Sequence, residues 1–308
     1  MKKIFIDGGA GTTGLRIVKR LSERKDIEII KLDDDKRKLP EYRKEALNNC
    51  DIAFLCLPDK AAVEAVSFIE NKDVVVIDAS TAHRTNPDWA YGFPELGAEF
   101  YEKITHSNRI ANPGCYASGF LSLVQPLVSR GVIDSDLGVT CHAISGYSGA
   151  GKGGIMQYED ENRESLFDAP REYALTQQHK HLKEMKAIAG LKREPIFCPY
   201  VCDYYSGMTV TVPLFKEDLN AGIEDIKNIY RSIYNSSIIK YYDSIDENGF
   251  ISACKIADKD NMEITVAGNE DRILLISRFN NLGKGASGAA VECMNIKLGV
   301  EKTTGLDL

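Results

Sequence analysis

The chain has 308 residues, 44% of them hydrophobic and 27% charged, with a formal net charge of −7 at pH 7. This is the make-up of a globular protein of one large or two ordinary domains. The acidic balance, with no Lys/Arg-rich arm, excludes a nucleic-acid-binding face, and no apolar run reaches the roughly 18 residues that a membrane span needs.

The N-terminal MKKIFIDGGAG reads as a first strand rather than a secretory leader, because its apolar part is too short. A cytoplasmic protein is expected. That strand, KKIFID, ends in Gly8-Gly9-Ala10-Gly11-Thr12-Thr13-Gly14, and a helical stretch follows with Leu15, Val18 and Leu21 on one face. The β-branched run IEIIKL is closed by Asp33-Asp34-Asp35-Lys36-Arg37. CDIAFLCLP and KDVVVIDAS are further continuous apolar runs, with helical KAAVEAVSFIEN between them. Strands apolar throughout, alternating with helices, predict a parallel sheet covered on both faces with right-handed connections: an α/β, Rossmann-type doubly wound domain.

After residue 115 the pattern changes. An apolar helix leads into GVTCHAISGYSGAGKGG, and then GMTVTVPLF, MEITVAGNE and DRILLISRFN read as antiparallel strands. GIEDIKNIYRSIYN carries Ile223, Ile226, Ile229, Tyr230 and Ile233 at helical spacing. A second, α+β domain with a largely antiparallel sheet is predicted. The final NNLGKGASGAAVECMNIKLGV reads as a small-residue helix that returns to the first domain. The expected division is 1–114 with 282–308 for dinucleotide binding, and 115–281 for catalysis and dimerisation.

Gly8, Gly11 and Gly14, with Thr12 and Thr13 between them, stand where the first strand opens the first helix. Glycines there permit a tight turn and close backbone approach to a pyrophosphate at the helix N-terminus. The choice of dinucleotide stays open. The three aspartates after the second strand suit a free ribose hydroxyl, whereas Lys36, Arg37 and Arg16 can reach a 2′-phosphate.

Eight cysteines in such a chain are no disulfide framework. Cys50, Cys56, Cys141, Cys254 and Cys293 stand singly, and Cys198 and Cys202 in CPYVC have no second pair or histidine at zinc spacing. They read as small buried hydrophobes in a reducing compartment, with no metal site. Cys115 differs. It follows the Pro113-Gly114 turn and precedes the apolar stripe Tyr116, Phe120, Leu123, Val124, Leu127 and Val128. A thiol at a helix N-terminus is favoured as thiolate by the helix dipole, which points to a nucleophile. Its proton partner is one of five histidines. His83 follows a strand at the mouth of the sheet and His106 lies in a polar loop. His142 falls in a strand, as a packed core or edge residue. His179 and His181 flank a lysine, and a helix there would turn only one of them toward a given site. SGYSGAGKG, with Ser145, Gly146 and Lys152, reads as a loop whose N–H groups and lysine can cradle an anion.

In chain order, GGAGTTG, DASTAHR, YGFPEL, NPGCYASG, SGYSGAGK, HKHLKE, GMTVTVPL and NLGKGASGAAVECMN resemble the N-acetyl-γ-glutamyl-phosphate reductases. These are the arginine-pathway branch of the semialdehyde dehydrogenase superfamily, and the shorter subtype is the more similar. The resemblance covers nearly the whole chain. It implies that Cys115 attacks an acyl phosphate to give a thioester, which is reduced to the semialdehyde with NADP(H), NAD(H) not being excluded. It further implies a histidine of the pair His179 and His181 as the acid/base, His179 being favoured, with His181 or Glu184 as orienting partners; the sequence does not choose between the two histidines. Ser80 and Asn281 are implied as nicotinamide contacts, and Arg84, Lys152, Ser145 and Gly146 as partners of the anionic substrate. Family members form homodimers or homotetramers. Ser118 stands where the family commonly has Thr, which keeps the hydroxyl, and Lys183 where a proline is frequent.

Pro113-Gly114 argues against the related aspartate-semialdehyde dehydrogenases, whose cysteine motif lacks this pair. A cysteine hydrolase with a non-redox anion loop and a non-catalytic dinucleotide sensor are the other readings. The acidic surface favours a free small-molecule acyl phosphate over one held on an acidic carrier.

Overall fold

The computed structural model describes residues 1–308. In chain order the elements are β1 (Lys2–Asp7), α1 (Thr12–Ser22), β2 (Ile27–Ile30), α2 (Pro40–Asn49), β3 (Ile52–Leu55), α3 (Asp59–Ser67), β4 (Val75–Asp78), β5 (Ala90–Tyr91), α4 (Ala98–His106) and β6 (Arg109–Ala111). They continue with α5 (Cys115–Val128), β7 (Thr140–Gly146), α6 (Gly151–Tyr158), β8 (Arg171–Glu172), α7 (His181–Ala189), β9 (Ile196–Cys202), β10 (Met208–Phe215) and α8 (Ile223–Ile233). The last are β11 (Ile239–Tyr241), β12 (Met262–Gly268), β13 (Arg272–Phe279) and α9 (Gly288–Leu298). They form two compact units. One holds Met1–Pro94, Ala98–Pro113 and Ala286–Leu306; the other holds Glu95–Gly97, Gly114–Gly285 and Asp307–Leu308. The chain returns to the first unit after Gly285 rather than at residue 282, because Lys284 is held in the second unit by a buried ion pair with Glu95 at 2.7 Å.

In the first unit six strands run in the order β2-β1-β3-β4-β6-β5, every neighbouring pair parallel. Alternation along each strand sends Ile4, Ile6, Ile52, Phe54, Val75 and Ile77 to one face, where they meet Ile17 and Leu21 of α1 and Val291 and Met294 of α9. Phe5, Ala53, Leu55, Val74 and Val76 go to the other face, against Ala46 and Leu47 of α2 and Ala62 and Ala65 of α3. Two-sided burial explains why these strands read as unbroken apolar runs. Chain order reverses between β1 and β3, so the crevice at their carboxyl ends is where such a sheet takes a ligand. Helix α1 is rotated from the expected face. It buries Gly14, Ile17 and Leu21, and leaves Leu15 57% exposed.

The second unit holds seven strands in the order β11-β12-β13-β10-β7-β9-β8. All neighbours are antiparallel except β11 with β12 and β7 with β9. Helix α5 is buried all round from Tyr116 to Leu127, wider than the stripe anticipated. Pro126 lies inside it and cannot donate to the Ser122 carbonyl. The Tyr234 hydroxyl, just past α8, donates to that carbonyl instead at 2.7 Å. Tyr230 of α8 caps the Leu123 carbonyl in the same way.

The opposite face of the sheet is covered at Thr209, Ile276 and Arg278, which are buried, and uncovered along β7, β9 and the far ends of β10 and β13. Register places Ile196 beside Thr140 and His142 beside Cys198. His142 is therefore exposed on an interior strand, not packed as expected, and Ile144 beside it is 43% exposed.

Candidate active site

The first unit carries a cavity of about 550 Å³ at the carboxyl ends of β1 and β2, lined by Gly8, Gly9, Ala10, Leu15, Val18, Leu32, Asp34, Arg37 and Lys38 among others. Leu15 and Val18 face this cavity, which explains the rotation of α1. Gly8 has φ +85°, and a Cβ on it would stand 2.3 Å from the Cys56 carbonyl oxygen; one on Gly14 would stand 2.5 Å from the Gly8 carbonyl oxygen. No side chain other than hydrogen is possible at either position. Gly11 caps α1 with no side-chain hydrogen bond, and the first turn, with Thr12 and Thr13, has no acidic residue. The N–H groups there suit a pyrophosphate. Arg16 lies outside this cavity lining.

At the end of β4, Ser80 donates to Asp78 Oδ2 at 2.7 Å, and His83 Nδ1 lies 2.6 Å from the same oxygen while its ring stacks on Trp89 at 4.0 Å. Arg84 is buried and donates to the carbonyls of Asn112 and Ala79 at 2.9 and 3.0 Å. Both Ser80 and Arg84 thus hold backbone and buried charge within the first unit.

In the second unit Cys115 is the first residue of α5, after a Gly114 cap with extended backbone. The Gly114 N–H donates to Glu184 Oε1 at 2.8 Å in a buried setting. Gly285 approaches so closely that a Cβ there would lie 3.0 Å from that of Cys115. Helix α7 begins at His181, so His179 lies in the turn before it. The expectation that a helix separates the two rings therefore fails. They stand 4.7 Å apart, and both lie within 6 Å of the Tyr116 ring, at 5.8 and 5.9 Å. His179 Nδ1 accepts from the His181 backbone N–H at 3.2 Å, so the neutral ring carries its proton on Nε2. Burial first, then the neighbouring Tyr173 and Cys115, push the Tyr116 phenol well above its usual range. Burial does the same for Tyr173. Both phenols therefore remain hydrogen-bond donors at neutral pH.

Residues 145–153 are not a loop. They finish β7, turn once as a 3-10 helix and open α6. The amides of Gly146, Tyr147 and Ser148 donate to the carbonyls of Gly207, Tyr204 and Tyr205, so they cannot cradle an anion. Ser145 and Gly146 nevertheless line a cavity of about 350 Å³ together with Tyr116, Gln157, Arg171, Tyr173 and His179. Lys152 is exposed on α6 and lies outside that lining. Asn281 is buried and committed at both ends of its amide, to the Gly207 N–H at 2.9 Å and the Ser148 hydroxyl at 3.0 Å. Sequence reasoning missed Tyr116, Tyr173 and Arg171. Tyr116 sits inside the cysteine motif, but nothing local marks the other two.

A glycine-turned crevice at the carboxyl ends of a parallel sheet in one unit, and in the other a helix that begins on Cys115 and carries Tyr116 against the rings of His179 and His181, are the arrangement of a two-domain dehydrogenase class. Residues 3–104 match the family model described as semialdehyde dehydrogenase, NAD binding domain, and residues 115–281 match the semialdehyde dehydrogenase dimerisation domain. The chain is 42% identical to N-acetyl-gamma-glutamyl-phosphate reductase 2 of Nostoc sp., covering 99% of both chains. It is also 42% identical to the N-acetyl-gamma-glutamyl-phosphate reductase of Brucella ovis, covering 96% of this chain and 99% of that one. This chain belongs to the N-acetyl-gamma-glutamyl-phosphate reductase family. Its fold is shared with aspartate semialdehyde dehydrogenase II of Vibrio cholerae, at a TM-score of 0.72 and 16% identity over 97% of this chain and 98% of that one. The NADP-bound aspartate semialdehyde dehydrogenase of Candida albicans gives 0.66 and 14%, over 96% and 98%.

Proposed function

We propose that this chain reduces N-acetyl-L-glutamyl 5-phosphate to N-acetyl-L-glutamate 5-semialdehyde and phosphate. In this reading residues 1–114 and 282–308 bind the dinucleotide, apart from the short stretch around Lys284 that is held with the catalytic residues. The observation that carries it is Cys115 at the head of α5, fixed through Gly114 by Glu184 and accompanied by His179 and His181.

The Cys115 thiolate attacks the carbonyl carbon of the acyl phosphate. The C–S bond forms, the C–O bond to phosphorus breaks, and inorganic phosphate leaves a thioester on Cys115. When bound, the nicotinamide cofactor supplies the hydride that reduces this carbonyl. The Nε2–H of His179 serves as donor, first to the thiolate and then to the tetrahedral oxygen, and collapse returns the thiolate and releases the aldehyde. His181 fixes the tautomer through its backbone N–H, and Tyr116 and Tyr173 supply further donors beside the thiol.

NADP(H) is the proposed cofactor. With Arg43 paired to Asp7, the other charged residues of the first unit's cavity are Lys31, Arg37 and Lys38 against Asp34, and the Asp34–Arg37 pair at 2.9 Å is exposed enough to open for a 2′-phosphate. A homodimer is proposed through the uncovered sheet face, where Ile144, Ile196, Phe215 and Leu274 are 43, 59, 57 and 37% exposed. A cytoplasmic location agrees with eight free thiols. The decisive assay is reduction of NADP by purified protein given N-acetylglutamate semialdehyde and phosphate. No reduction of NADP or NAD would overturn the assignment, and turnover that survives Cys115→Ala would overturn the mechanism.

A further inference from the structure

We infer that Arg171 is the specificity residue that binds the α-carboxylate of the substrate; this rests on the acyl-phosphate reading above. The roughly 350 Å³ cavity that holds His179 and Tyr116 has the size of a small amino-acid derivative. Arg171 is the only Lys or Arg among its lining residues. The two cations expected from the sequence do not serve here. Arg84 is buried in the first unit on main-chain carbonyls, and Lys152 lies outside the lining.

Arg171 is positioned and unspent. Its backbone is fixed in β8 opposite Val201. Its guanidinium carbon lies 4.2 Å from the centre of the Phe167 ring, which orients the plane and leaves the N–H edges available. Phe167 packs edge-on against Tyr158 at 4.9 Å, and Tyr158 stacks on Tyr147 at 4.9 Å. The segment carrying Phe167 is tied down by Arg163, which bonds Asp168 at 2.8 Å and Asp203 at 2.6 Å. Glu172, which also lines the cavity, accepts from the Tyr200 hydroxyl at 3.1 Å and makes no ion pair with Arg171. A planar fork held by stacking, facing a cavity with a thiol-side histidine, matches a planar carboxylate bidentately.

The same fork could hold a phosphate, and the reverse reaction separates the two, because semialdehyde and inorganic phosphate enter as distinct substrates. Arg171→Gln is expected to raise KM for N-acetylglutamate semialdehyde about 10- to 100-fold, the range for losing a hydrogen-bonded charge. KM for phosphate should stay within about twofold, and Arg171→Lys should recover part of the loss. The unaltered enzyme should disfavour the α-carboxamide analogue of the semialdehyde by a similar factor, and the Gln variant should not. NADPH affinity, read by fluorescence, should be the same in both. An unshifted semialdehyde KM, or a rise confined to phosphate, overturns the assignment of Arg171. An unaltered chain with no turnover of N-acetylglutamate semialdehyde overturns the proposed function as well.

Discussion

Glu184 and Gly114, 70 residues apart in the chain, meet through one buried hydrogen bond of 2.8 Å from the Gly114 N–H to the carboxylate. A helix has no internal partner for its first N–H groups, and a glycine cap offers no side chain to help. Here α7 supplies the acceptor for the residue that precedes the thiol. Glu184 is thereby a positioning residue. Glu184→Gln keeps an acceptor oxygen and should keep most of kcat. Glu184→Ala strands a buried N–H, and should cost about 1–3 kcal/mol of stability and lower kcat more than it changes KM. Thermal melts and steady-state kinetics on both variants test this, and equal kinetics for Gln, Ala and the parent would refute it.

Thiol chemistry should single out Cys115. Burial pushes the Cys50 and Cys56 thiols up to about 12 and raises Cys141 further. It also raises Cys198, Cys202 and Cys254. At pH 7–8 these six stay protonated, whereas Cys115 opens a helix. Iodoacetamide followed by peptide mass spectrometry should find Cys115 modified first, with loss of activity in step. Equal labelling of all thiols would count against an activated thiolate.

The same raised thiols predict an alkaline limit to stability. A thiol with a folded pKa above its unfolded value contributes fully below the unfolded pKa, near 9.0, and that contribution is lost as pH rises through the folded value of about 12. The buried phenols Tyr230 and Tyr234, raised by burial, act in the same direction at higher pH. Tm should be level up to about pH 9 and then fall steadily. A Tm that rises above pH 9 would contradict the burial of these groups.

The two cavities show what was readable in the chain and what was not. The strand–glycine–helix order placed Gly8 and Gly14 correctly, because their requirement is local: a tight turn that no Cβ can enter. Cys115 was legible for the same reason, as a thiol between a turn and an apolar run. His179 and His181 were misjudged because α7 begins only at His181, which leaves His179 outside the helix and decides where the two rings point. The amides of 146–148 looked available. They are spent on the carbonyls of Gly207, Tyr204 and Tyr205, far along the chain, and no local pattern reports that. Arg171 and Tyr173 lack any local signature, since β9 and β8 bring them to the cavity.

Pro126 offers a direct test of how α5 is held. The proline leaves the Ser122 carbonyl without its helical donor, and the Tyr234 hydroxyl takes that place at 2.7 Å in a fully buried setting. Tyr234→Phe should destabilise the protein by about 1–3 kcal/mol through an unsatisfied buried carbonyl. Adding Pro126→Ala restores a backbone N–H to that carbonyl, so the double variant should recover part of the loss. Denaturant unfolding of the four members of this cycle measures the coupling, and strict additivity would show that Tyr234 acts through packing alone.

Dimerisation through the uncovered sheet is the last expectation. Ile144 and His142 lie on β7 beside Tyr200 and Cys198 of β9, all on the face opposite α5. A buried apolar contact between two such faces would not accept an unpaired carboxylate, which costs several kcal/mol when desolvated without a partner. Ile144→Asp should therefore give a monomer by sedimentation velocity. Its far-UV circular dichroism should be unchanged, since the side chain faces away from the unit's own core. A variant that remains dimeric would place the interface elsewhere on the chain.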